Sequence, residues 1–194
     1  MGFLSEEELQ KIGFKHLGKD VQLSDKCSIY NPGNIEIGDN SRIDDFSFLS
    51  AGTGGIKIGN YVHIATYCSI VGKELIEFKD FSGLASKGSV YSSNDDYSGE
   101  FMTNPRVPQE FTNVTHGKVI FEKHVIVGAD CVILPNVTIG YGAAVAAFSL
   151  VSRDVEEMAI VSGVPAKFLK KRKDGFAQKE KEFMSKYNLK FDNQ

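Results

Sequence analysis

The chain has 194 residues, 42% hydrophobic and 24% charged, which suits one domain with a substantial core. A net charge of −3 and a pI of about 5.8 argue against nucleic-acid binding as the main function. No apolar stretch reaches the roughly 18 residues of a membrane span, and the first ten residues lack a signal-peptide pattern, so we expect a cytoplasmic protein without membrane insertion.

A short helix is predicted at the start of the chain. Ser5 is a good N-cap residue, and Glu8, three positions later, completes the pattern of a capping box. We therefore assign residues 1–20 to an N-terminal helix and a lead-in segment.

From residue 21 onward, an apolar residue recurs every six positions, and the residue two places before it is usually small or β-branched. This spacing describes a short strand followed by a turn, and three such units close one triangular coil. The apolar positions are Leu23, Ile29, Ile37, Ile43, Leu49, Ile58, Ile64, Ile70, Phe78, Leu84, Val90, Phe121, Val127, Ile133, Ile139, Val145 and Val151. The small-residue sites include Cys27, Cys68 and Cys131, so we interpret the three cysteines as packing residues.

The departures from six residues are themselves regular. The step lengthens to 8, 9 and 8 residues after Ile29, Leu49 and Ile70, and a long insertion follows Val90. Each departure comes three hexads after the one before, as expected if all of them leave a three-sided coil at the same corner. The sequence therefore predicts an all-β fold: a left-handed parallel β-helix of hexapeptide repeats over residues 21–160, with an external loop at 91–118.

The remaining residues, 161–194, are predicted to form an exit loop and a C-terminal helix. Residues 173–187 are highly charged, and Phe176, Phe183 and Tyr187 follow helical spacing. Because the end of a solenoid needs a cover, we expect this amphipathic helix to pack across the β-helix.

Three segments give the chain a resemblance to a known family. They read VIVGADCVILPNVTIG at 125–140, AVAAFSLVSRDV at 144–155 and VSGVPAKFLKKR at 161–172. Over residues 20–172 the chain resembles the hexapeptide-repeat acyltransferases, in the branch of galactoside, maltose and xenobiotic O-acetyltransferases. The resemblance implies a homotrimer that binds acetyl-CoA in a groove between neighbouring subunits.

The residues that match this groove have suitable chemistry. A pantetheine arm needs small neighbours, which Gly128, Ala129 and Ala147 provide, and its nucleotide end needs cations, which cluster beside Pro165. The resemblance implies coenzyme A contacts at Ala129, Ala147, Ser152, Lys167 and Lys170.

The sequence offers two candidates for the catalytic base. In the galactoside branch a histidine follows the last strand before the long loop, whereas here that position is Asp95, between Asn94 and Asp96. An ordinary aspartate has a pKa of about 3.9, which makes it a weak base for a hydroxyl, and imidazole, at about 6.5, is better suited. Asp95 and His116, at the far end of the loop, are therefore both catalytic candidates, and Asn94, Asp96 and Tyr97 are candidate substrate-binding residues.

We therefore expect an acetyl-CoA-dependent enzyme that acetylates a hydroxyl of a sugar in surface polysaccharide (O-antigen or capsule) biosynthesis, with no metal cofactor. The alternative is N-acetylation of a nucleotide-linked amino sugar, where a carboxylate pair could hold the ammonium group. Two lesser alternatives are a metalloenzyme like the γ-class carbonic anhydrases, which needs three histidines on zinc, and a non-catalytic scaffold. Metal analysis and a thermal-shift test with acetyl-CoA would discriminate these two.

Overall fold

A computed structural model describes residues 2–189 of the chain. Met1 and the last five residues of the predicted C-terminal segment, 190–194, therefore lie outside the described residues. Helix α1 (Glu6–Ile12) begins after Ser5, whose side chain forms the predicted capping box with Glu8. Helix α2 (Gly175–Tyr187) is the last helix of the described residues. Short 3-10 helices span Pro32–Asn34 and Gln109–Phe111.

The strands of the β-helix form three sheets, which we call faces 1, 2 and 3. Between residues 16 and 91, and again between 119 and 151, successive strands of the chain visit the three faces in turn. Face 1 consists of β1 (His16–Leu17), β4 (Ile35–Ile37), β7 (Ile56–Ile58), β10 (Ile76–Phe78), β15 (Val119–Phe121) and β18 (Val137–Ile139). Face 2 consists of β2 (Gln22–Leu23), β5 (Arg42–Ile43), β8 (His63–Ile64), β11 (Gly83–Leu84), β16 (Ile126–Val127), β19 (Ala144–Val145), β21 (Ala159–Ser162) and β22 (Lys167–Lys171). Face 3 consists of β3 (Ser28–Tyr30), β6 (Phe48–Ala51), β9 (Ser69–Gly72), β12 (Ser89–Tyr91), β17 (Val132–Ile133) and β20 (Leu150–Val151).

Strands stack in parallel on each face, except that β22 pairs with β21 in the antiparallel direction at the end of face 2, and the apolar residues of successive coils are in register. Ile58, for example, aligns with Phe78, which in turn aligns with Phe121, and the rings of the two phenylalanines stack with centroids 4.2 Å apart. All the repeat positions are buried except Ile29, which is half-buried. The predicted all-β class and the parallel β-helix of hexapeptide repeats are thus confirmed.

Three corners join the faces, and the insertions of the chain are confined to one of them. The first corner leads from face 1 to face 2, the second from face 2 to face 3, and the third from face 3 back to face 1. The three lengthened steps and the long loop all lie at the third corner, as the spacing predicts. Insertions there leave the inward stacks undisturbed.

Helix α2 lies along the first corner and not across an end of the β-helix. The corner presents a ladder of stacked rings, Tyr61, Phe81 and His124, and Phe183 of the helix meets the first two rings edge-on. Glu180 accepts a hydrogen bond from His124 and pairs with Lys123. The expectation of a helix across the β-helix was wrong because these rings give it a continuous apolar surface along the side.

The three cysteines are free thiols within the packing of the second corner. Cys68 and Cys131 are buried and Cys27 is half-buried. Each thiol donates to a backbone carbonyl of the adjacent coil or corner, for example Cys68 to Ala85 at 3.3 Å. Burial raises the pKa of Cys27 and of Cys68 to about 11, which makes both poor nucleophiles.

Candidate active site

The long loop leaves and re-enters the third corner through a tightly packed base. Ser92 is buried there, and its hydroxyl donates to the Glu74 carbonyl at 2.7 Å. Gly72 has a φ of 153°, and a side chain at this position would overlap the Ser92 hydroxyl. The backbone N–H of Gly117, at the far end of the loop, donates to the Ser92 carbonyl at 3.0 Å. Both ends of the loop are therefore fixed to the β-helix.

Directly beyond this base, the two ends of the loop pair as a small antiparallel sheet. Strand β13 (Ser93–Asn94) pairs with β14 (Thr115–His116), and Ser93 stands opposite His116. The Ser93 hydroxyl lies 2.8 Å from Nδ1 of His116 and accepts the backbone N–H of Lys73 at 3.0 Å. His116 is half-buried. His116, one of the two candidate bases, is thus held in position by Ser93, a partner that the sequence did not indicate.

A cavity of about 680 Å³ opens under the loop. Asn94, Asp95 and His116, three of the predicted site residues, line it together with Lys73 and Gln109. Asp95 is exposed to solvent, unlike His116. The structure therefore brings both candidate bases to one cavity, 21 positions apart in the sequence.

Asp96 and Tyr97 are not among the residues that line this cavity. The Asp96 carboxylate accepts hydrogen bonds from the Ser98 hydroxyl at 2.7 Å and from the backbone N–H groups of Ser98 and Gly99. The hydrogen bond from the Ser98 side chain is the main reason that the pKa of Asp96 is lowered. Tyr97 is 85% exposed. Within the described chain, therefore, Asp96 stabilises its own turn and Tyr97 projects from the loop.

The predicted coenzyme A residues Gly128, Ala129 and Ala147 lie at the second corner, away from the loop base. A side chain at Gly128 would bring its Cβ within 2.6 Å of the Ala147 nitrogen, so the coils need glycine here. Hydrogen bonds between adjacent coils align Thr66, Ser86, Ala129 and Ala147 in one column, which we call the corner column.

The corner column has backbone groups available for a ligand. Its carbonyls at Thr66, Ser86 and Ala129 accept N–H groups from the next coil at 2.9 to 3.0 Å. By contrast, within residues 2–189 the backbone N–H groups of Ser86, Ala129 and Ala147 find no acceptor. Small side chains beside unpaired N–H groups are what an extended arm with amide carbonyls needs.

The remaining predicted coenzyme A residues lie near one end of the β-helix. Ser152, Pro165 and Lys167 line a cavity of about 490 Å³, and Lys167 is paired with Ser162, just before the second corner. Lys170 lies on the exposed strand β22 but does not line this cavity. Cationic side chains are therefore present where the corner column ends.

The two parts of the site are separated in one chain. The corner column is at the second corner, whereas the loop cavity is at the third, and face 3 lies between them. No described residue lines both the loop cavity and the cavity at Lys167.

Comparison with known proteins shows the family. Escherichia coli dTDP-4-amino-4,6-dideoxy-D-glucose acyltransferase is 45% identical over 183 residues, which are 94% of this chain and 95% of that protein. The chain belongs to the hexapeptide-repeat acyltransferase superfamily. WbbJ of Escherichia coli K12, a candidate O-acetyl transferase of lipopolysaccharide biosynthesis, is 31% identical over 157 residues, covering 75% of this chain and 76% of WbbJ. A scan against family models gave no match.

A solved structure is also similar over nearly the full length. AntD, an N-acyltransferase from Bacillus cereus, has a TM-score of 0.92 and 47% identity, covering 95% of this chain and 97% of AntD. That structure is a variant in complex with dTDP-4-amino-4,6-dideoxyglucose and coenzyme A, and another AntD structure contains dTDP and 3-hydroxybutyryl-CoA. This superfamily member is therefore an acyltransferase that uses acyl-CoA as its co-substrate, as the motifs predict.

Two further expectations from the sequence concern membrane insertion and a metal cofactor. Neither described helix combines the length and apolar character that crossing a membrane requires. Within residues 2–189, no three histidine, cysteine, aspartate or glutamate side chains stand close enough to share a metal ion.

Proposed function

We propose that this enzyme transfers an acyl group, such as acetyl, from acyl-CoA to the amino group of a dTDP-linked amino sugar. The observation on which this depends is the near full-length similarity to two proteins whose names or ligands include dTDP-4-amino-4,6-dideoxyglucose. O-acetylation of a polysaccharide sugar, the first expectation from the sequence, has weaker support because WbbJ is less similar and matches less of the chain.

The corner column is suited to the donor. Coenzyme A extended along Ser86, Ala129 and Ala147 would place its amide carbonyls beside unpaired N–H groups. Its phosphates would lie near Lys167 and Lys170. An unpaired N–H near the thioester could also stabilise the oxyanion that forms during acyl transfer.

The loop cavity is suited to the acceptor. Asn94 and Gln109 offer amides for sugar hydroxyls, and Lys73 offers a cation for the diphosphate. Asp95 offers a carboxylate for the ammonium group of an amino sugar. An amine acceptor also relaxes the need for a strong base, because an ammonium group loses its proton far more easily than a hydroxyl does.

The ammonium group needs a proton acceptor before it can attack, and His116 is better placed than Asp95 because its ring is fixed. Nε2 of His116 takes a proton from the ammonium group, and the freed nitrogen lone pair attacks the thioester carbonyl carbon. The C–N bond forms as the carbonyl electron pair moves to oxygen. The oxygen electron pair then re-forms the carbonyl as the C–S bond breaks. Sulfur leaves with the electron pair of that bond and takes a second proton from the nitrogen, which leaves an amide and free coenzyme A.

We also propose that the enzyme is a homotrimer in which the loop cavity of one subunit meets the corner column of the next. The separation of the two parts by face 3 within one chain supports this arrangement. A complete site would then exist only in the assembly. We also keep the cytoplasmic location that the sequence predicts, which is consistent with acyl-CoA as donor and a dTDP-linked sugar as acceptor.

The decisive experiment compares two acceptors with acetyl-CoA as donor, following thiol release and the product mass. We expect dTDP-4-amino-4,6-dideoxyglucose to be acetylated at nitrogen, and dTDP-6-deoxyglucose, with a hydroxyl at the same carbon, to react far more slowly. Preference for the hydroxyl sugar would restore the O-acetyltransferase hypothesis. Absence of any transfer, with no thermal shift on adding acetyl-CoA, would support the scaffold.

Replacing Asp95 and His116 separately by alanine ranks the two bases. We expect His116→Ala to lower kcat by at least about tenfold, which corresponds to about 1.4 kcal/mol of barrier. Asp95→Ala should mainly raise KM for the amino sugar, because its carboxylate holds the ammonium. If neither variant changes kcat or KM, the acceptor does not react in this cavity.

A further inference from the structure

The base of the loop contains a hydrogen-bonded chain that the proposed reaction does not yet explain. It runs from the backbone N–H of Lys73 to the Ser93 hydroxyl and on to Nδ1 of His116, over 3.0 and 2.8 Å. Ser93 and His116 are 23 positions apart and meet only because β13 pairs with β14. Ser93 also lines the cavity, beside His116.

We propose that Ser93 is a positioning residue that holds His116 in the tautomer and orientation required of a base. The inference rests on the proposed transfer to an amine. A hydroxyl oxygen has two lone pairs and one hydrogen, and the N–H of Lys73 occupies one lone pair. The second lone pair is available to accept a hydrogen bond from Nδ1–H.

This hydrogen bond determines what the other ring nitrogen does. When Nδ1 carries the hydrogen of neutral imidazole, Nε2 has a free lone pair and acts as an acceptor. Within residues 2–189, Nε2 of His116 makes no hydrogen bond of its own. After Nε2 takes a proton, Nδ1–H still donates to Ser93, so the ring need not turn during the reaction.

The rigidity of the surrounding base makes this positioning effective. The Lys73 N–H belongs to the third corner itself, and the backbone N–H of Gly117, next to His116, donates to the carbonyl of the buried Ser92 at 3.0 Å. The serine is therefore held on the β-helix side and the histidine on the loop side. A side chain held this way loses little conformational freedom when substrate binds.

The first test uses turnover with acetyl-CoA and dTDP-4-amino-4,6-dideoxyglucose. We expect Ser93→Ala to lower kcat by about tenfold and to leave KM for acetyl-CoA unchanged, because Ser93 is not one of the residues assigned to coenzyme A. Ser93→Thr, which keeps the hydroxyl, should recover most of the loss. The matched control is Thr115→Ala, which removes a hydroxyl from the same small sheet but outside the cavity, and should behave like the wild type.

A double-mutant cycle separates positioning from general damage to the loop. In a His116→Ala background, Ser93→Ala should cause no further loss, because the group that it positions is gone. An equal loss in both backgrounds would overturn the proposal, as would unchanged kcat in Ser93→Ala alone.

A spectroscopic test does not depend on activity. Two-bond 15N–1H spectra of the imidazoles should show His116 with its hydrogen on Nδ1 in the wild type. In Ser93→Ala the same ring should be a mixture of the two tautomers. The signal of His116 is the one that disappears in His116→Asn. A His116 that carries its hydrogen on Nε2 would overturn the proposal. If the enzyme shows no transfer to either sugar, the proposed function fails, while these spectra still decide the Ser93 contact.

Discussion

Two complementary variants would show whether the donor and acceptor parts of the site come from different subunits. Ala147 is an exposed residue of the corner column, so Ala147→Trp should block the groove with an indole ring without disturbing the inward stacks. The second variant carries Asp95→Ala and His116→Ala, which remove both candidate bases from the loop cavity. Each variant alone should form an inactive homotrimer, because every site then contains one defective part.

Mixing the variants gives a result that can be calculated from the geometry. In trimers formed at random from equal amounts, a site works when its loop comes from the Ala147→Trp chain and its column from the other. Each condition is met half the time, so about one quarter of the wild-type activity should return if sites are shared between neighbours. If each chain builds its own site, every site is defective and activity stays near zero.

The assay requires subunit exchange, which co-expression with two affinity tags provides. Sequential purification on both tags removes the homotrimers, so in the remaining mixed trimers one of every three shared sites should work, about one third of the wild-type activity. Light scattering should report a mass three times the 21.3 kDa of one chain. A second mixture serves as the control, in which wild-type chains are combined with chains that have all three substitutions. In the purified mixed trimers, a shared site then predicts about one sixth of full activity, whereas a site within one chain predicts about one half.

The two mixtures together refute or support the arrangement. No recovery in the first mixture, with half activity in the second, would mean that the loop of each subunit folds back over its own corner column. That outcome would leave acyl transfer itself intact but remove the reason for proposing a trimer with shared sites.

Two further predictions concern the β-helix itself. Gly128→Ala should lower the free energy of unfolding by about 1–3 kcal/mol, because its Cβ would lie 2.6 Å from the Ala147 nitrogen. Gly83→Ala is the matched control, since its Cβ would meet its nearest neighbour at 3.6 Å, and equal urea midpoints for the two variants would contradict the steric argument. For Glu180, burial alone would raise the pKa, but hydrogen bonds from its lysine and histidine partners outweigh it and hold the pKa below 4.5. Its contribution to stability is therefore present above that value and is lost as pH falls below it. Glu180→Gln should make the unfolding free energy less dependent on pH in this acidic range, and an unchanged pH dependence would show that these contacts do not matter.

The fold could be predicted in detail because a solenoid is a local structure. Each coil contacts only its neighbours, so the inward positions repeat in the sequence with the period of the coil. The prediction nevertheless began too late in the chain. Leu17 lies six positions before Leu23 and aligns with Ile37, so the period already includes β1. At the other end, Val155 follows Val151 after four residues and still aligns with Ile139, which shows that the third corner also tolerates a shortened step.

The candidate site could be predicted only where it follows the repeat. Gly128, Ala129 and Ala147 have fixed places in the coil, so their position at one corner follows from the spacing. The loop has no such period, and the contact between Ser93 and His116 depends on how its two ends pair. The sequence named His116 as a candidate base but gave no sign of its partner.

The arrangement of the corners explains how one scaffold can serve different acceptors. The inward stacks determine stability, and an insertion at the third corner adds side chains without entering them. The donor residues belong to the coils at the second corner, so they can remain constant while the loop changes. If the two parts meet only between subunits, the loop can change the acceptor without altering the fold or the donor site of its own chain. A change in acceptor preference then requires substitutions in the loop and at its base, which is where Ser93 and His116 lie.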